Sequence, residues 1–168
     1  MSKHQQKRLQ DVLTGSELGN VVSELTPDAS TREFYRIESG DTTLIGCVYA
    51  AGDAEGPRQL IDVTNLFLRA GLPVAKVIRE FVDEGIVILE DLGESILRDA
   101  LLSSSARESE LLINAAIDLI PRIQAATELA ITSGSLAGKL RFDREKLLWE
   151  LNFFKEHYFT SLRGKQIE

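Results

Sequence analysis

Pro57-Arg-Gln-Leu60-Ile-Asp-Val63-Thr-Asn-Leu-Phe67-Leu-Arg-Ala70-Gly71-Leu-Pro73 is the clearest helix in the sequence, and its flanks decide the fold. Proline suits the first turn, where its missing N–H would be unpaired anyway. Gly71 stands as the glycine just past the C-terminus, and Pro73 blocks further winding. Leu60, Val63, Phe67 and Ala70 recur at helical spacing and form the buried face. Upstream, Val21-Val-Ser-Glu-Leu25 reads as a strand. Phe34-Tyr-Arg-Ile37 and Thr43-Leu-Ile-Gly-Cys-Val-Tyr49 flank a turn in which Gly40 takes positive φ. Downstream, Val77-Ile-Arg-Glu-Phe-Val82 and Ile86-Val-Ile-Leu89 flank the three-residue connection Asp83-Glu-Gly85. The order βββαββ defines an α+β fold with a five-stranded antiparallel sheet and one helix. Leu9, Val12 and Leu13 lie on one side of a short N-terminal helix, read as a packing strap.

From Ser95 the apolar period changes from two to 3.6. Leu111, Leu112, Ala115, Ala116, Leu119, Ile120, Ile123, Ala126 and Ala130 form one broad stripe, on a helix that Pro121 should kink. Asp143 reads as the N-cap of a last helix bearing Leu147, Leu151, Phe154 and Tyr158. The composition shift near Gly93 places a boundary between 1–93 and 94–168.

The 168 residues hold 19 Lys and Arg against 26 Asp and Glu, a net charge of −7, with 43% hydrophobic and 27% charged residues. That is a globular composition. An acidic chain without a basic stripe argues against nucleic-acid binding. Its longest apolar runs are only a few residues, too short to span a membrane, and its polar start does not read as a secretory signal, so a cytoplasmic protein is expected. The single Cys47 reads as a reduced core thiol.

Some apparent motifs carry no chemistry. Gly134-Ser-Leu-Ala-Gly138-Lys139 has three residues between its glycines and Leu140 after its lysine, where a P-loop needs four and a Ser or Thr. No Gly-x-Gly-x-x-Gly occurs, and neither His4 nor His157 stands at metal-ligand spacing. Asp28-Ala29-Ser30-Thr31-Arg32 is a loop whose N–H groups and hydroxyls could cradle phosphate, although on local chemistry alone an ordinary turn accounts for it.

In succession, four stretches resemble the aminoglycoside-phosphotransferase-like kinases, and among them the bacterial anomeric N-acetylmuramate/N-acetylglucosamine kinases of cell-wall recycling. They are Asp28 to Arg36; Arg58 to Val63 with Ala70-Gly-Leu-Pro-Val74; Ile88-Leu-Glu-Asp-Leu-Gly93; and Phe142 to Leu151 running into Phe154 and Tyr158. The resemblance implies a protein-kinase-like N-lobe ending in a hinge, followed by the first helices of an incomplete C-lobe. It implies ATP as cofactor, with Asp28, Ala29, Ser30, Thr31 and Arg32 over its phosphates and backbone groups of Glu90 and Leu92 on adenine. Asp62 falls at the acidic position of the lobe's helix, which in protein kinases pairs with a strand lysine. The strand here has no lysine, so that ion pair cannot form.

The family also implies magnesium and a sugar or amino-sugar acceptor, but its His-x-Asp catalytic loop and later Asp motif are not in this chain. His4 is followed by Gln5-Gln6 and His157 by Tyr158-Phe159. The expectation is therefore the N-terminal portion of an ATP-dependent phosphotransferase, inactive by itself, with no catalytic residue and no metal ligand. Trp149, Glu150 and Asn152 lie on a helix that borders the acceptor site in the family. Helix faces left bare are expected to cause self-association. The alternatives are a non-catalytic pseudokinase or nucleotide- or protein-binding module, and an unrelated α+β domain.

Overall fold

The computed structural model describes residues 3–26 and 32–166. The phosphate-loop residues Asp28, Ala29, Ser30 and Thr31 lie outside the described residues. Two compact units, 1–138 and 139–168, make up the chain.

In the first unit, helix α1 (Lys3–Ser16) leads to strands β1 (Asn20–Glu24), β2 (Glu33–Ser39) and β3 (Thr42–Val48). Helix α2 (Glu55–Arg69) follows, then β4 (Val77–Phe81) and β5 (Ile86–Glu90). The five strands form one antiparallel sheet in the order β1-β2-β3-β5-β4. The βββαββ reading and the α+β class therefore hold. Gly40 turns the first hairpin at φ 60°, and Gly71 ends α2 at φ 69°. The second hairpin differs slightly from expectation. Its strand stops at Phe81, because the Gly85 N–H donates to the Val82 carbonyl at 3.0 Å and closes a four-residue turn.

Register assigns the side chains to faces. Tyr35 lies opposite Gly46, which lies opposite Ile88; Phe34 lies opposite Cys47, which lies opposite Val87. Directly opposed residues share a face, so the two sets point to opposite sides. Tyr35, Ile37, Val48, Ile86 and Ile88 meet Leu9 and Leu13 of α1 on one face, all seven buried. Cys47, Tyr49 and Val87 meet Leu60 and Ile61 of α2 on the other. The strap reading of α1 is thus correct, and the helix is fastened at its start as well. The Arg8 guanidinium donates to the carbonyls of Tyr49, at 2.9 Å, and Glu84, and the Gln5 amide donates to Tyr49 O at 3.3 Å.

A helical layer of α3 (Leu97–Ser103), α4 (Ala106–Ala125), α5 (Thr127–Thr132) and the single turn α6 (Leu136–Lys139) completes the unit. Ser105 and Glu108 form a capping box at the start of α4. Helix α4 runs on through Pro121 and breaks only at Ala126. An internal proline removes one ladder bond, and the helical winding nevertheless continues for another turn. Of the expected stripe, only Ala126 and Ala130 are fully buried; Leu111, Ile120 and Ile123 are exposed.

In the second unit, Asp143 caps α7 (Arg144–Phe154) by accepting the Lys146 N–H at 2.9 Å, as expected. The expected regular last helix is instead wider beyond Phe154. Lys155–Leu162 is a π-helix, in which the Arg163 N–H reaches the Tyr158 carbonyl five residues back. Phe154 and Tyr158 stack at 5.1 Å, and Phe159 meets both edge-on.

Leu9 has no exposed surface and sits on β3 where the chain carries Gly46, whose missing Cβ leaves room for it. We expect Leu9→Ala to lower stability by about 3 kcal/mol, measured as a shift of the urea midpoint with unchanged slope.

Candidate functional site

The face under α2 carries the candidate site. At its near end the Tyr49 ring lies between the first turn of α2 and Arg32. A Cβ on Gly56 would lie 2.4 Å from that ring, so only glycine lets the helix come this close. The Arg32 guanidinium stands 5.5 Å from the Phe34 ring centroid and 5.7 Å from that of Tyr49, and donates to the Tyr49 hydroxyl at 3.5 Å. Stacking of this kind holds a guanidinium in place. Beside it opens a cavity of about 360 Å³, bounded by Arg32, Tyr49, Asp53, Gln59, Leu60 and Leu136 among others. That volume falls in the range of small-molecule sites.

Between this cavity and the far end of β5 runs a strip of half-buried apolar side chains, Phe34, Ile45 and Leu89. The strip shares the face of Cys47 and Val87 by register. From Ile86 to Glu90 the strand advances about 13 Å, at roughly 3.3 Å per residue.

Cys47 lies beneath α2. Burial pushes its thiol up to about 11, against the pull of the Arg32 charge and the Tyr49 hydrogen bond. Asp62, which the missing strand lysine leaves without its kinase-type partner, has found two others. Its carboxylate accepts the Ser135 hydroxyl at 2.7 Å and the Leu136 N–H at 2.8 Å.

At the far end, the Glu90 N–H donates to the Lys76 carbonyl at 2.9 Å, and the Glu90 carboxylate accepts the Lys76 N–H at 3.1 Å. Leu92 is 71% exposed, two residues past the strand. Asp91 between them is the residue that sequence reasoning missed. It accepts from Arg36 Nε on β2 at 2.8 Å and from the Gly93 N–H at 2.8 Å, and its side chain is only 4% exposed. Arg36 also reaches Glu94 at 2.5 Å. One signal was readable: Asp followed two residues on by Gly is the signature of an Asx-turn. The structure thus brings Arg32 to the cavity and bonds Asp62 to the turn that supplies Leu136 to the same cavity. Glu90 and Leu92 stand at the other end of the strip.

In the second unit, Trp149 and Glu150 lie on α7, where the Lys146 ammonium sits 3.9 Å from the Trp149 ring centroid and 3.0 Å from Glu150. Among the described residues no cluster of three or more His, Cys, Asp or Glu is arranged to hold a metal. No helix among them is long and apolar enough to cross a membrane.

Two curated proteins are similar to the chain. The N-acetylmuramate/N-acetylglucosamine kinase of Pseudomonas aeruginosa PAO1 is 29% identical over 150 residues, 87% of this chain and 41% of that protein. The N-acetylmuramate/N-acetylglucosamine kinase of Neisseria meningitidis MC58 is 26% identical over 142 residues, 83% of this chain and 40% of that protein. The chain therefore spans about two fifths of the length of the relatives it matches. The similarity is to sugar kinases, which agrees with the family branch read from the four motifs. No protein-family profile matches the chain, and no solved structure matches it.

Burial alone would raise the Asp91 carboxyl, but the Gly93 N–H, the Thr43 hydroxyl and the Arg36 guanidinium outweigh it and hold the group below the usual carboxylate range. A carboxyl depressed in the folded state stabilises fully above its unfolded value, about 3.9, and the gain disappears as pH falls through the folded value. Asp91→Asn should therefore lower Tm by several degrees at pH 7, and the gap to wild type should narrow below about pH 4. Cys47 gives a second expectation. The native thiol should stay unreactive to a disulfide reagent at pH 8 and react at once in denaturant.

Proposed function

We propose that the chain is the nucleotide-binding portion of an ATP-dependent phosphotransferase whose acceptor is a hydroxyl of a sugar or amino sugar. The observation that carries the proposal is the apolar strip Phe34, Ile45 and Leu89, which ends at a cation, Arg32, on one side and at the exposed segment around Leu92 on the other. A nucleoside triphosphate has this polarity: a flat apolar base at one end and concentrated negative charge at the other. The sugar-kinase relatives support the reaction class.

In this reading, residues 1–93 are a kinase-like N-lobe and 94–168 open the helical lobe. Adenine lies on Ile45 and Leu89, against the Glu90 carbonyl and the Leu92 backbone. The Glu90 N–H, bonded to Lys76, takes no part. The triphosphate runs toward Arg32 and the loop of Asp28, Ala29, Ser30 and Thr31. The family implies magnesium, and among the described residues no cluster of three or more His, Cys, Asp or Glu is arranged to hold it. The acceptor is a cell-wall amino sugar by analogy with the relatives, and the reaction is cytoplasmic. The chain by itself holds nucleotide without turning it over. Bare apolar side chains on α4, such as Leu111, Ile117 and Ile120, favour self-association.

Nucleotide-induced thermal stabilisation tests the proposal. A ligand at 100 times its Kd adds about 2.7 kcal/mol, so millimolar ATP should raise Tm measurably, and uridine, lacking phosphates, should not. Arg32→Ala should weaken binding about tenfold, near 1.4 kcal/mol, in a titration with a fluorescent ATP analogue. Absence of any ATP-dependent shift in the wild-type chain overturns the proposal.

A further inference from the structure

We infer that Asp62, Ser135 and Leu136 form a latch that holds α2 to the helical layer and so fixes the cavity wall facing Arg32. Asp62 and Ser135 are then positioning residues rather than nucleotide ligands. The inference rests on the nucleotide reading above and changes what one of its residues does.

The latch joins parts of the chain 73 and 74 residues apart. Ser135 is 4% exposed, so its hydroxyl has little water to turn to, and the Asp62 carboxylate supplies its acceptor. The turn carrying it is itself fixed. The Ser135 N–H donates to the Ala130 carbonyl at 3.1 Å, and a Cβ on Gly138 would lie 2.7 Å from the Ala130 backbone. The turn therefore moves with α5, and Asp62 ties α2 to both. Leu136 is the residue in common: its N–H bonds Asp62, and it lines the cavity together with Arg32 and Tyr49. Gln59, Leu60 and Val63 line the cavity from α2 itself, one to three residues from Asp62 in sequence. A second tie, from the Arg122 guanidinium to the Gly71 carbonyl at 2.7 Å, holds the other end of α2, and Leu66 and Phe67 share the lining of a second cavity, of about 210 Å³, with Ile123, Ala126 and Ala130. With Arg122 holding one end, losing the latch frees only the end of α2 that forms the cavity.

Ser135→Ala removes the hydroxyl and Ser135→Thr keeps it, so the pair separates the hydrogen bond from packing. Leu13→Ala, on the opposite face of the sheet, supplies a comparison that is destabilised without touching the latch. Binding of a fluorescent ATP analogue and amide hydrogen exchange are measured on all three and on wild type. We expect Ser135→Ala to weaken nucleotide binding about fivefold and to speed exchange of the Leu136 amide, Ser135→Thr to restore both, and Leu13→Ala to lower Tm with affinity unchanged. If wild type binds nucleotide and Ser135→Ala binds it equally well, the inference fails while the proposed function stands. If affinity falls in Leu13→Ala as much as in Ser135→Ala, the effect is general destabilisation and the inference also fails. If wild type binds no nucleotide, the proposed function fails, and exchange at Leu136 decides the latch: faster in Ser135→Ala supports it, unchanged overturns it.

Discussion

The fold depends on covering both faces of strands β3 and β5. Gly46, Cys47 and Val48 are buried in succession, as are Ile86, Val87 and Ile88. Successive residues point to opposite sides, so neither face of these strands can be left to solvent, as one face of an antiparallel sheet often is. Two helices are needed. Helix α1 supplies Leu9 and Leu13 to one side, and α2 supplies Leu60 and Ile61 to the other. Each buried Leu or Ile contributes roughly 1.5–3 kcal/mol, so losing either helix would forfeit a large share of a small domain's stability. This accounts for the fastening of α1 by Arg8 and Gln5, which tie a terminal helix to backbone carbonyls at the sheet's end.

The two covers are not equivalent. Under helix α1 the face is sealed by seven side chains, two from the helix and five from the sheet, none more than 1% exposed. On the other face only Cys47, Tyr49 and Val87 are buried, and Phe34, Ile45 and Leu89 stay half-open. An apolar strip left accessible in a sheet that needs burial is a standing cost, and such surface usually marks a place where something binds. The sheet's charges are arranged around the strip. Arg36, whose neighbours across the sheet are Ile45 and Leu89, is drawn off by Asp91 and Glu94. Arg32 is stacked on the Phe34 and Tyr49 rings and donates to the Tyr49 hydroxyl. The first cation closes the end of the sheet, and the second faces the cavity.

Most of the fold was legible in the sequence. The helix with proline at its start and glycine past its end, the alternating strands and the two hairpins all follow from local rules whose physical causes act within a few residues. What the sequence hid was set by contacts between distant segments. Asp62 was singled out only as the acidic helix position that the family resemblance implies, and its partners, Ser135 and Leu136, come from a turn with no sign of its destination. Asp91 stood unremarked between two residues singled out by resemblance, because its importance lies in Arg36, 55 positions away. The widening of the last helix at Lys155 was also unreadable. Apolar spacing reports which side of a helix packs, and it is nearly blind to whether the ladder closes over four residues or five.

Asp62 and Arg32 are two halves of one electrostatic question. A kinase-type lobe answers it with a lysine on the central strand, which pairs with the helix acid and also serves the phosphates. Here a cysteine occupies the buried strand under α2, and an ammonium in that setting would face the same desolvation that raises the thiol. With no cation there, the acid must be solvated or bonded by neutral donors, and Ser135 and Leu136 provide the donors. Holding the helix passes to a hydrogen-bonded latch whose strength needs no positive charge. Outside the core, the cation beside the cavity is Arg32, held by Phe34 and Tyr49. A guanidinium suits that place better than an ammonium, because it stacks, presents several donors and is less strongly hydrated.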